Sequence, residues 1–125
     1  MPTTLQVANY IIAYSKHKNY DRSFMKLLKI LYFVQEEYYA SYHDCLFSDQ
    51  LKSASFGPYS DFVWNEYHHW GDNDILVYSK DIGSLNQNQK DVIKQVTDYC
   101  SKYSNIELLH QIWKIESVEY ADSDS

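Results

Sequence analysis

His43-Asp44-Cys45 sets an imidazole, a carboxylate and a thiol side by side, the residue types from which a nucleophilic centre is built. Neighbours in a loop rarely point at one reaction centre, so this run reads as chance proximity. His68 and His69 are adjacent on a predicted helix and project about 100° apart, unlike an i, i+4 pair that grips one ion. His17 and His110 stand far away, and no metal site is expected. Gly57, Gly71 and Gly83 are the only glycines and form no phosphate-cradling loop, and no G-x-S-x-G turn is present. Cys45 and Cys100 belong to no C-x-x-C pair and read as reduced thiols. Glu36-Glu37 and Asp72 with Asp74 read as a solvated helix face and a turn. No cofactor is implied, and the residues favour a binding role over an enzyme. An enzymatic alternative would have to use His110 or the residues around Cys45.

Charge and composition narrow the partner. The 17 acidic residues outnumber the 11 basic ones, for a net charge of -6, which disfavours direct contact with nucleic acid because that depends on clustered Lys and Arg. The same acidity suits a basic protein. Thirteen tyrosines, with five Phe and three Trp, make the chain unusually aromatic. Tyr pairs a large apolar ring with a water-tolerant hydroxyl, which fits a half-exposed gripping surface or the boundary of a core. No apolar run approaches the roughly 20 residues that span a bilayer, and no signal peptide opens the chain. The expectation is one domain over residues 1–125, acting in the cytoplasm and away from membranes.

The elements that must position these residues are mainly helical. Thr3-x-x-Gln6 is a capping box opening a helix to about Ser15, with Leu5, Ala8, Ile11 and Ile12 on one side. Behind Ser23 as N-cap, Phe24, Leu27, Leu28, Leu31, Gln35, Tyr38 and Tyr42 form one stripe that Ile30, Phe33 and Val34 widen. A helix apolar over this much of its circumference belongs at the centre, with at least two neighbours. Alternation from Leu51 to Phe56 predicts a strand or small two-stranded ribbon. Gly57-Pro58 then starts a third helix, with Tyr59, Phe62, Val63, Tyr67 and Trp70 inward, Trp64 and His68 alongside, and Gly71 as its stop. Ile75 to Tyr78 is apolar and extended. Ser84-x-x-Gln87 caps a fourth helix burying Val92, Ile93, Val96, Tyr99, Cys100 and Tyr103. After a break at Ser104-Asn105, a short last helix uses Ile106, Leu109, Ile112 and Trp113, and the acidic tail 116–125 frays. The predicted fold is mainly α: a compact bundle of about five helices around a central one, with a small β ribbon and a core over about residues 5–113.

In this order the segments resemble the Panacea domain family of SocA-like antitoxins and phage-associated GepA proteins. Val7-Ala8-Asn9-Tyr10-Ile11-Ile12 resembles the family's opening helix, and Met25 to Phe33 is similar to its M-K-L-x-K-L-L-Y motif, carried here by Lys26, Leu27, Leu31 and Tyr32. Leu46-Phe47, then Phe56-Gly57-Pro58 and the helix to Tyr67, look like its L-F, aromatic-G-P and V-Y-x-x-Y stretch. Ile106 to Trp113, with His110, is similar to its closing segment. Ala54 stands where the family usually has Trp, Tyr59 replaces a small aliphatic residue, and the His110 to Trp113 gap is shorter than usual. The resemblance implies a non-enzymatic module that neutralises a toxin by direct binding or delivers it to a protease as an adaptor. A phage-encoded inhibitor of a host protein, such as a defence nuclease, is the alternative. The partner surface is expected at Glu36, Glu37, Tyr38, Tyr39, Tyr42, Trp64 and His68, which flank the inward stripes, with oligomeric state left open.

Overall fold

The chain enters its first helix through a reciprocal cap. The Gln6 amide donates to the Thr3 hydroxyl at 3.1 Å, and the Thr3 amide donates to the Gln6 side chain at 3.0 Å, satisfying donors that a helix start leaves free. The resulting α1 (Thr4–Lys18) buries Val7, Ala8, Ile11 and Ile12. It runs past the expected end at Ser15 and stops at Asn19, whose left-handed φ of 58° suits that residue type. The computed structural model of the protein describes residues 1–124, and side chains over residues 1–119. Four more α-helices follow among the described residues: α2 (Phe24–Tyr42), α3 (Asp61–Tyr67), α4 (Gln87–Cys100) and α5 (Asn105–Asp124), with a 3-10 turn at His68–Trp70. None of them is long and apolar enough to cross a membrane.

Helix α2 is the hub, packing against α1, α4 and α5. Leu27, Leu28, Ile30, Leu31 and Val34 are almost wholly buried and join residues from α1, α3, α4 and α5 in one hydrophobic cluster. Ser23 occupies the N-cap position, but its side chain makes no capping bond; its amide donates instead to Asp21 at 2.9 Å.

Several expectations need correction. The β ribbon reduces to one antiparallel bridge, Lys52 with Tyr59, with a Gly57 amide bond to Ala54 at 3.0 Å inside the loop; the Ser60 cap of α3 follows Tyr59 directly, so the pairing extends no further. Helix α3 starts at Asp61 under a Ser60 cap and not at Pro58, because the bridge holds Tyr59 in extended backbone. The box before α4 is Asn86-x-x-Gln89 and not Ser84-x-x-Gln87: Leu85 is drawn into the core, so the cap falls after it. Ile75 alone of its apolar run is buried, held by a bond from its amide to Arg22 at 3.2 Å, while Leu76 and Val77 are exposed and form no strand. Phe62, Tyr99, Ile106 and Trp113 are exposed, because α3 presents Val63 and Tyr67 to the core, α4 presents Val92, Ile93, Val96 and Cys100, and α5 presents Leu108, Leu109 and Ile112. The last helix is long: α5 continues through the acidic tail to Asp124, and Ser125 lies outside the described residues. It begins under a capping box that was not foreseen, with Ser104 and Glu107 exchanging bonds of 3.0 and 3.2 Å.

Two lysines interrupt the apolar circumference of α2, and both are buried: Lys26 is 3% exposed and Lys29 4%. Lys26 donates to the Cys100 carbonyl at 3.2 Å, which also accepts the Tyr103 amide, and to the Tyr103 carbonyl just past the end of α4, where a helix leaves carbonyls short of partners. A cation there also complements the negative end of the helix dipole. Lys29 donates to the Phe56 carbonyl at 2.9 Å, on the threshold of Gly57-Pro58. Burial, and then the charge of Lys26, lower its pKa. At this corner Gly57 adopts a φ of +112°, and a Cβ would lie 3.2 Å from Leu109 Cδ1 of α5.

Lys26→Met keeps the apolar stem but takes a donor from two carbonyls, leaving Cys100 only the Tyr103 amide, and is expected to cost about 1–3 kcal/mol; an unchanged urea midpoint would refute the anchoring role. Gly57→Ala meets both a disfavoured backbone angle and a close neighbour. Its expected loss is about 1–3 kcal/mol in the same titration.

Candidate functional site

The Gly57-Pro58 corner builds an aromatic platform. The bridge fixes Phe56 and Tyr59, and α3 brings Trp64 and His68, one helical turn apart, to the same side. Trp64 stacks on Phe56 at 5.4 Å and 27°, and on His68 at 5.8 Å and 6°. The other edge of Trp64 meets Phe24 of the core at 5.2 Å. His68 Nδ1 lies 2.7 Å from the Trp64 carbonyl, which sets the ring's orientation. Trp64 is thus half-buried and braced, while His68 is exposed. A shallow hollow of about 300 Å³ lies beside it, lined by Ala54, Phe56, Tyr59, Asp61 and Trp64, and an ion pair from Lys52 to Asp61 marks its rim. Residue 54 is where the resemblance expected Trp; here the alanine leaves space. Phe56 and Tyr59 were not foreseen as partner-surface residues.

The other expected surface residues do not form one patch. Tyr38 is buried, because it falls in register with Leu31 and Val34 on the inward side, so it is withdrawn from the expected surface. Tyr39 and Tyr42 are exposed at the end of α2, where Tyr42 rests on Tyr38 at 4.9 Å and Tyr39 meets His43 edge-on at 6.3 Å. Glu36 and Glu37 diverge as adjacent helical residues must: Glu36 lines a cavity of about 460 Å³ beside α5, while Glu37 lines a separate hollow with Phe33 and Tyr99. Tyr32, Leu27, Leu31, Gly57, Pro58 and Tyr67 are buried, as motif residues of a core should be. His110 and Trp113 sit on the exposed side of α5, their rings 5.8 Å apart.

Nothing gathers around the first candidate for chemistry. Asp44 accepts the Cys45 amide at 2.8 Å, and the His43 ring is engaged with Tyr39. Cys100 is buried, and burial pushes its thiol up to about 12. Among the described residues no group of His, Cys, Asp and Glu is placed to hold a metal ion.

The carboxylates beside α5 are another matter. Burial first, then a hydrogen bond to Glu119 and the charges of Glu119 and Glu116, push the Glu36 carboxyl up to about 7. The sequence concealed this meeting, since it depends on α5 continuing past Glu116; the i, i+3 spacing of Glu116 and Glu119 was the available sign. In the unfolded chain Glu36 titrates near 4.5. Between that pH and about 7 the folded state holds a proton that the unfolded chain has lost, so stability falls as pH rises through this window. Glu36→Gln is expected to match the wild type near the lower end of the window. By pH ~8 it should exceed it by about 1–2 kcal/mol, allowing for solvent screening at a half-buried site. Parallel stability curves for the two proteins would count against the coupling.

Comparison with curated proteins and with solved structures gave no match. The family model described as antitoxin SocA-like, Panacea domain, matches residues 27–114. That stretch takes in α2 from Leu27 onward with Lys29, the Gly57-Pro58 corner, the aromatic platform, α4 and the first half of α5. With most of its length matched, the chain belongs to the SocA-like antitoxin, Panacea domain family.

Proposed function

We propose that the protein is a non-enzymatic antitoxin that neutralises a toxin by binding it directly, with the Phe56-Trp64-His68 platform at the centre of the contact. The observation that carries this reading is the platform itself: three stacked rings, braced from below by Phe24, beside an open hollow. Preorganised aromatic side chains of this kind bury large area at little entropic cost, and such residues dominate binding hot spots. Membership of an antitoxin family supports a toxin as the partner. The net charge of -6 fits a basic one. The action is assigned to the cytoplasm. Delivery of the captured toxin to a protease is a second use of the same contact. Inhibition of a host protein by a phage-borne copy is the rival within the binding class.

Co-expression with the product of the adjacent gene is expected to rescue growth from its toxicity, and the two proteins should co-purify. Trp64→Ala should weaken that complex at least about tenfold while the helical circular dichroism is retained. Toxin levels that fall on rescue would mark delivery to a protease. Failure of the neighbour-encoded protein to bind, with capture of a host factor in its place, would overturn the antitoxin reading.

A further inference from the structure

The cavity between the second half of α2, the loop after it and the end of α5 measures about 460 Å³. The titratable groups facing it are Tyr32 and Glu36 from α2, Cys45 and Asp49 from the loop, and Glu116 and Glu119 from α5. No Lys, Arg or His is among its lining residues, so the carboxylates face one another with no cation between them. Asp49 is partly committed, accepting the hydroxyls of Ser60 at 2.7 Å and Thr4 at 3.3 Å. Glu36, Glu116 and Glu119 accept no bond from any basic side chain among the described residues. A second feature is independent of these acids. Tyr32 is 6% exposed, yet its hydroxyl, closed to water, has no hydrogen-bond partner among the described residues. Buried polar groups are almost always paired, so a phenol left single beside a carboxylate-lined cavity points to a group that arrives from outside.

We propose that this cavity receives a cationic side chain of the protein partner, an arginine guanidinium. The identification of the source rests on the antitoxin reading; the charge and shape of the ligand do not. A guanidinium presents five N–H donors in a planar fork, enough to serve Glu36, Glu116 and Glu119 together while the Tyr32 oxygen accepts one more. The three carboxylates do not converge as a metal-ion cage, and a flat organic cation fits acceptors spread across two helices better than a point charge does. Binding also offsets what makes Glu36 keep its proton up to about pH 7, first its burial and then the neighbouring carboxylates of Glu119 and Glu116. The arriving cation takes the proton's place, the proton leaves to solvent, and affinity rises with pH through neutrality.

The full chain titrated with N-acetyl-arginine amide, followed by NMR, tests this. Saturable shifts at Tyr32 and Glu36 are expected, severalfold tighter at pH ~8 than at pH ~6, and weaker with N-acetyl-lysine amide. Neutral N-acetyl-norleucine amide should cause none. Glu36→Gln should weaken binding at least about tenfold. Glu119→Gln, an exposed change near the helix end that spares the core, should do the same. Absence of saturation, an equal response to norleucine amide, or unchanged binding in both variants overturns the proposal. In the toxin complex the two variants should again lose about tenfold in affinity. If the toxin binds them as tightly as wild type, the cavity is not its anchor and the antitoxin reading stands alone. If arginine amide binds and no toxin does, the antitoxin reading fails and the cationic site stands.

Discussion

Everything else in the molecule hangs from two ammonium groups on one face of the central helix. Lys26 and Lys29 are three residues apart and both buried, and neither has a carboxylate for a partner. Each spends its charge on carbonyl oxygens of another element: the end of α4 for Lys26, the approach to Gly57 for Lys29. Burying a charge without such bonds costs several kcal/mol, roughly, so the surrounding elements cannot drift away without exposing or stranding a cation. The position of α4, and through the Phe56 carbonyl that of the whole aromatic platform, is referred back to α2.

Much of this was legible in the residue pattern, and the failures share a cause. The stripes of α1, and of α2 as far as Tyr38, and the Thr3 box came out as read, because periodicity and capping are local; Tyr42, at the end of the α2 stripe, is exposed. The tighter turns misled. Phe62, Ile106 and Trp113 have the apolar character of inward residues, and only the packing of α3 and α5 decides which side of each helix is offered to the core. Likewise Ser84 and Asn86 each precede a Gln by three residues; burial of Leu85 chooses between them. The M-K-L-x-K run was visible as a motif, yet its meaning was not. A lysine inside an otherwise apolar helix signals a buried donor, but the acceptor lies more than seventy residues away for Lys26 and no local rule finds it.

The candidate site shows the same division. Trp64 and His68 were readable as a pair because one helical turn separates them, whereas their stacking on Phe56 needed the Lys52 to Tyr59 bridge. Glu36 was readable as an acid on a wet stretch of helix. Its raised pKa was not, since that is made by α5 arriving from the far end of the chain. The two surfaces therefore differ in kind: one is an apolar plate set on the core, the other a charge imbalance held between two helices.

One regularity in the anchoring bonds reaches beyond stability. Lys26, Lys29 and Gln35 reach carbonyls and amides of other segments, as Asn9 does with Asp81 and Arg22 with Ile75. In each case the bonded partner is main chain, which every residue type carries. These five side chains thus fix where a segment runs whatever side chains it displays, whereas Asp49, Asp81 and Asp98 tie other segments through their own carboxylates. At the main-chain anchors a substitution in the bonded loop keeps its acceptor, so the loops after α2 and around Ile75 and Asp81 can change side chains at those points without losing their tether to the helices.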